Sequence, residues 1–283
     1  MEDLPSYPVF QNVYLLPLRP LVFHDPNISN TWLACRLFTR TTAEGEVLPN
    51  IDALLEIYKG ATVTVVQGLL DVSYGDESRR DMKIEEFGQL WKDGGARGGS
   101  IYLKDFHLCL ARPDLMVYQT YDIFQGKQSS SSVKWSILTE KSDDWMNAHA
   151  LHNTNDDYRF LYLGTSGTTT SFHHDVYLSH SWSTSICGIK RWVLLAPEHA
   201  HLLNHQRTGE PIGDIFMENV DTSNYPGLSE AQQKCLVVWQ YPCETMFVPS
   251  GWYHAVKNFG SVSSWIGEPR CRSLHYTTVL LYL

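Results

Sequence analysis

The tripeptide His173-His174-Asp175 sets an imidazole and a carboxylate two positions apart. In an extended strand, residues two apart share a face, so His173 and Asp175 project together while His174 faces away. Side by side they are two of the three parts of a facial triad. Three protein ligands leave open positions on an octahedral iron, which suits Fe(II) oxygenase chemistry. The third part, a second imidazole, has to arrive from a distant strand. His254 is the candidate, in Phe247-Val-Pro-Ser-Gly-Trp-Tyr-His254. There a strand ends at Pro249, Ser250-Gly251 turns the chain, and another strand starts at Trp252. A histidine two residues past a tight turn is held rigidly over the mouth of a barrel.

The chain has 12 histidines, and a His-x-Asp tripeptide arises readily by chance. The pair gains weight from the distant His254 and from a basic residue between them. That residue is Lys190, in Cys187-Gly-Ile-Lys-Arg-Trp192. If its strand pairs beside the His173 strand, an ammonium sits at the base of the pocket, suited to a carboxylate set back from the metal. Most lysines instead face solvent. Ile189, Trp192 and the apolar run that follows favour burial of Lys190, and Arg191 is the neighbour that reaches water.

The elements that must position these groups change in texture along the chain. In the first third, Val13–Phe23 is apolar and broken by Pro17 and Pro20. Ile51–Tyr58 has helical spacing after a candidate cap, Asn50. Ala61–Val66 is a β-branched run and reads as a strand. Ile84–Trp91 reads as a second helix, and Gly94–Gly99 as a loop. Residues 128–132 read as a surface loop and 143–150 as a short helix. From Arg159 onward the pattern is short, alternating or β-branched runs between turn residues: Arg159–Gly164, Ser171–Leu178, Ser183–Ala196, Leu236–Tyr241, Thr245–Val248 and Tyr253–Asn258. Such spacing belongs to an antiparallel sandwich or barrel. The expectation is a mostly β protein with an α+β N-terminal part and no clear linker.

With 43% hydrophobic residues in 283, the chain can bury a sizeable core. Its formal charge of −9 disfavours direct nucleic-acid binding. No apolar run is long enough for a membrane span, and MEDLPSYPVF does not read as a signal peptide. The 6 cysteines are scattered without CxxC spacing, so they are read as reduced thiols of a cytoplasmic or nuclear protein.

Taken together, SFHHDVYLSHSWSTSICGIKRWVLLAP (Ser171–Pro197) and MFVPSGWYHAVKN (Met246–Asn258) resemble the JmjC family of Fe(II)- and 2-oxoglutarate-dependent oxygenases. IYLKDFHLC (Ile101–Cys109) and DDYRFLYLGTSGTTTSFHHD (Asp156–Asp175) resemble the branch that hydroxylates a lysine of a translation-termination release factor. The resemblance implies a double-stranded β-helix, a jelly-roll or cupin-like core. It implies an N-terminal extension at 1–120 packing on a catalytic domain at 121–283. It makes His173, Asp175 and His254 the ligands of Fe(II). It makes Lys190, with Thr170 and Tyr102, the partners of the distal carboxylate of 2-oxoglutarate, and O2 the second cosubstrate. Ser183 stands where related enzymes often carry Asn. The implied partner is a lysine-containing protein, with succinate and CO2 as coproducts. Thr170 as the end of the TTT loop, and Tyr102 as a core tyrosine, are the plainer alternatives.

Two segments depart from the family pattern. The family's P-G-E turn reads Pro242-Cys243-Glu244, and cysteine adopts positive φ less freely than glycine. After Phe259 the family's polar core strand and helical segment are replaced by GSVSSWIGEPRCRSLHYTTVLLYL. Residues 261–266 are the candidate strand there, and an unfilled position would leave an open sheet edge. Histone-lysine demethylation is the competing reading on the same chemistry, although no zinc-finger cysteines accompany it. A non-catalytic cupin-like interaction protein is the competing reading from another class, and a zinc hydrolase stays formally open.

Overall fold

The computed structural model describes residues 2–68, 79–97, 100–124, 152–153, 159–213, 215, 222–259 and 275–282. The loop at 128–132, the helix at 143–150 and the strand at 261–266 lie outside the described residues. Among the described residues no helix is long and apolar enough to cross a membrane.

The N-terminal part carries β1 (Glu2–Asp3), β2 (Leu21–His24), the hairpin β3 (Thr39–Thr41) and β4 (Val47–Pro49), β5 (Thr62–Gly68), β6 (Arg79–Lys83) and β7 (Ser100–Phe106). Helix α1 (Ile51–Ile57) starts where the Asn50 side chain accepts from the Ala53 amide at 3.3 Å, satisfying one free amide of the first turn. Helix α2 spans Ile84–Arg97. It runs through Gly94 and Gly95, so the loop expected at Gly94–Gly99 is corrected. Glycine lowers intrinsic helix propensity by only about 1 kcal/mol, and the buried stripe Ile84, Phe87 and Trp91 anchors the helix.

Eight strands then follow: β8 (Arg159–Thr165), β9 (Thr169–His173), β10 (Ser181–Cys187), β11 (Ile189–Leu195), β12 (Leu236–Gln240), β13 (Glu244–Val248), β14 (Tyr253–Phe259) and β15 (His275–Tyr282). They divide between two sheets. One holds the order β13-β10-β15-β8, the other β12-β11-β14-β9. This is the double-stranded β-helix. Strands β7, β5 and β6 extend the first sheet beyond β8, and β2 and β1 extend it beyond β13.

Two expected strands divide or end early. Ser183–Ala196 is two strands, because Gly188 at φ 79° turns the chain from one sheet into the other. Ser171–Leu178 ends as a strand at His173, and Val176–Leu178 is a 3-10 turn. The position whose vacancy would leave an open sheet edge is filled. Residues His275–Tyr282 form β15 and pair with both β10 and β8.

Alternation along β10 sorts its side chains. Trp182 and Ile186 enter the core shared with the N-terminal part, where Trp182 stacks on Phe124 at 5.1 Å. Ser181, Ser183 and Ser185 face the other way, into the sandwich. Trp192, Leu194, Met246, Val248 and Val256 form the apolar filling between the sheets. On the outer face of the smaller sheet, Phe172, Val193 and Leu195 are covered by Leu202, Leu203 and helix α3 (Leu228–Lys234). The Pro242-Cys243 turn carries the strain the sequence suggests. Cys243 sits at φ 65°, a conformation that costs a non-glycine residue about 1–2 kcal/mol.

Candidate metal centre

His254 on β14 lies directly across from His173 on β9 in the antiparallel register. Their rings face each other with centroids 4.2 Å apart. Strand β9 ends there, and Asp175 follows in extended backbone at the start of the 3-10 turn. One ligand atom from each of His173, Asp175 and His254 lies within 4.8 Å of the others. His254 Nε2 is 4.0 Å from Asp175 Oδ1, with both side chains only 3% exposed.

The hydrogen bonds around these groups select their metal-binding forms. His173 Nδ1 is 2.8 Å from the Ser171 carbonyl, and His254 Nδ1 is 3.2 Å from the Trp252 carbonyl. A carbonyl oxygen only accepts, so each Nδ1 carries a proton, and in a neutral ring that leaves the Nε2 lone pair for a metal. Burial, reinforced by the neighbouring His254, pushes the His173 pKa down to about 4. At neutral pH it is uncharged, the form that binds a metal. The Ser181 hydroxyl donates to Asp175 Oδ2 at 2.6 Å, leaving Oδ1 facing the histidines.

Ser181 was not singled out in the sequence. Only the return of β10 beneath the Asp175 turn brings it there. Outer partners of metal ligands typically account for 10–100-fold in metal affinity. Ser181→Ala is therefore expected to weaken Mn(II) or Fe(II) binding by roughly that factor, checked by anaerobic metal titration.

The two ligand-bearing loops are tied together. Ser250 Oγ donates to the Leu178 carbonyl at 2.5 Å, and the Ser250 amide donates to His180 Nδ1 at 3.0 Å. The loop after Asp175 holds Tyr177 at φ 56° and Leu178 at φ 55°. Non-glycine residues rarely take such angles, and strained backbone of this kind gathers at functional sites.

Lys190 is buried at 3% exposure, as the apolar flanks suggested, while Arg191 is half-buried. Its strand does not pair beside the His173 strand. β11 pairs with β14, which lies between β11 and β9. Lys190 thus stands opposite Asn258, four residues along β14 from His254 and on the same inner face. Burial pushes its ammonium pKa down to about 7, against the opposing influence of the neighbouring Cys187 thiol.

Thr170 and His173 are three residues apart, so a regular strand would point them oppositely. The register shows why it does not. His254 pairs with His173, and Val256 with Thr170, so three steps on β9 oppose two on β14. This irregularity turns both side chains to one face. Thr170 Oγ1 donates to the Tyr102 hydroxyl at 3.4 Å. Tyr102 reaches this position because its sheet neighbour is Gly164. A Cβ there would lie 2.8 Å from Tyr102 Cδ2, 2.8 Å from Asn258 Nδ2 and 2.3 Å from Thr168 Oγ1. Gly164→Ala is expected to cost about 1–3 kcal/mol, the usual range for overpacking. It should also displace Tyr102. Thermal melting and the KM for the cosubstrate would show the two effects together.

Ser183 is fully buried on β10, facing the sandwich interior. Its Oγ, like Asn258 Oδ1, has no hydrogen-bond partner among the described residues. Buried polar groups are rarely left so.

The profile of the family described as a cupin-like domain matches residues 10–276. The chain is 33% identical over 259 residues to a Gallus gallus protein named 2-oxoglutarate and iron-dependent oxygenase JMJD4, covering 89% of this chain and 55% of the relative. It is 31% identical over 271 residues to an Arabidopsis thaliana protein named arginine-specific demethylase JMJ20, covering 89% and 52%. It is 36% identical over 166 residues to a Schizosaccharomyces pombe protein named JmjC domain-containing protein 1, covering 58% and 32%. The chain spans about half the length of the first two relatives.

Proposed function

The chain belongs to the cupin-like domain family, and from that premise we propose that it is an iron- and 2-oxoglutarate-dependent oxygenase that hydroxylates a lysine of a protein substrate, a translation-termination release factor. One observation carries the reading: two imidazoles and a carboxylate converge, with a buried lysine behind them on the same inner face. Nitrogen and oxygen donors with open positions suit Fe(II). The orphaned Ser183 and Asn258 oxygens fit a polar cosubstrate.

When bound, iron and the keto acid supply the oxidising chemistry. The protein supplies placement. His173, Asp175 and His254 would hold the ion on one side, and Lys190, Tyr102 and Thr170 would hold the distal carboxylate. Trp192, Leu194, Met246, Val248 and Val256 keep water out of the sandwich behind them. The branch-like Tyr102–Asp105 and Asp156–Phe160 sequence segments support the release-factor substrate. The test is incubation of the pure protein with Fe(II), 2-oxoglutarate and a release-factor peptide. The reading requires a mass gain of one oxygen on lysine with one succinate formed. Folded protein that yields neither rejects it.

The name of the Arabidopsis relative favours a second reading, demethylation of a methylated side chain. Release of formaldehyde from methyl-arginine or methyl-lysine peptides, without stable hydroxylation of the release-factor peptide, would establish it instead.

A further inference from the structure

Val176, Tyr177 and Leu178 are 51%, 78% and 55% exposed, three consecutive large apolar side chains directly after the candidate ligand Asp175. Single apolar residues scattered over a surface are ordinary, whereas contiguous ones mark sites of interaction. None of the three belongs to an apolar core cluster among the described residues. The run coincides with backbone that is costly to maintain, since Tyr177 and Leu178 sit at φ 56° and 55°, a region disfavoured for residues with a Cβ. A turn that only joined two strands would be served as well by polar residues, with glycine or asparagine where φ is positive.

The main chain of this loop is fixed while its side chains stay outside. The Leu178 amide donates to the Asp175 carbonyl at 3.2 Å and the Ser179 amide to the Val176 carbonyl at 3.1 Å. From the other ligand-bearing turn, the Ser250 hydroxyl donates to the Leu178 carbonyl. Two residues on in that turn, the Trp252 indole N–H donates to the Leu18 carbonyl at 2.9 Å, and Leu16 and Leu18 are themselves exposed. Three segments are thus linked into one apolar rim beside Asp175 and His254. Of the three candidate ligands, only His173 keeps part of its surface open.

We propose that Val176, Tyr177 and Leu178 form the docking patch for an apolar side chain that flanks the target residue in the polypeptide substrate. This rests on the reading of the site as an oxygenase of protein side chains. Continuity with the metal centre identifies the occupant, because a polypeptide that sends one side chain to the ion must cross the loop that begins at Asp175. Leu178 is three residues from Asp175, so their Cα atoms lie within about 11 Å. An extended peptide advances about 3.3 Å per residue. The apolar residue therefore falls within about three positions of the target.

The probes are labelled peptides of one length, with lysine or methylated arginine at the centre and either leucine or serine close on each side. They are titrated by fluorescence anisotropy under argon against the full chain loaded with Mn(II) and 2-oxoglutarate. The parent should bind the leucine peptides about 10-fold more tightly than the serine peptides, the worth of burying one aliphatic side chain. Asparagine accepts positive φ, so Tyr177→Asn/Leu178→Asn should melt no lower than the parent and bind Mn(II) as well, yet lose the leucine preference. Val176→Ser should lose part of it, and serves if the double variant does not fold. A parent that binds no peptide or shows no leucine preference overturns the inference, as does a folded double variant that keeps the preference. A concentration-dependent dimer that the double variant abolishes also overturns it, assigning the loop to a second copy of the chain. A parent that prefers leucine but binds neither Mn(II) nor 2-oxoglutarate overturns the oxygenase reading alone.

Discussion

His254→Ala is expected to abolish metal binding at micromolar concentrations and, with it, all succinate formation. On the proposed reading the ring would supply one of three ligands, so its loss should exceed the 10–100-fold that removing an outer partner costs. The fold should survive. His254 sits between Leu194 on one side and His173 on the other, with the Trp192 ring at 5.7 Å. Removing it leaves the backbone ladder of β14 intact. His174→Ala is the matched control. His174 is exposed, packs on Tyr253 at 5.1 Å and points away from His254. Metal affinity in that variant should stay near that of the parent. Metal titration on the two variants checks the assignment of faces. Equal losses in both would show that these histidines act on structure and not on an ion.

What could be read from the sequence was local. Asp175 two positions after His173, the turn at Pro249–Gly251 before His254, and the apolar flanks of Lys190 are short-range patterns, and the structure groups the first three side chains and buries the lysine. Register between distant strands has no such signature. Nothing near Lys190 says that its strand pairs with β14 and not β9, because that depends on which of several similar alternating runs pair. The irregularity that turns Thr170 and His173 to one face exists only as a mismatch between two strands. Ser181 shows the same limit, since its bond to Asp175 depends on how β10 returns. The sequence after Phe259 does not look like the family's strand, yet residues His275–Tyr282 occupy the position between β10 and β8. Alternation and β-branching suffice for a backbone ladder, which asks less of the side chains than a cosubstrate does.

Lys190→Met is expected to act in opposite directions on the empty and the loaded protein. In the empty protein, burial holds the ammonium pKa at about 7, below the ordinary 10.5. The unfolded chain therefore binds more protons than the folded one between those values. Stability rises with pH through that window, and the full cost of the buried charge is present below pH 7. Methionine removes the charge at similar length, so the empty variant should melt higher at pH 7 and lose this part of the pH slope. With 2-oxoglutarate the sign reverses. Removing one partner of a buried charge pair costs about 2–5 kcal/mol, which is roughly 30-fold to a few thousand-fold in Kd. In the parent, a carboxylate beside Lys190 draws the proton back, so binding at pH 8 takes up a proton and weakens as pH rises further. Calorimetry in buffers of different ionisation enthalpy reads that uptake, and it should vanish in the variant. A lower melting temperature with unchanged keto-acid affinity would mean that Lys190 supports the fold and binds no cosubstrate.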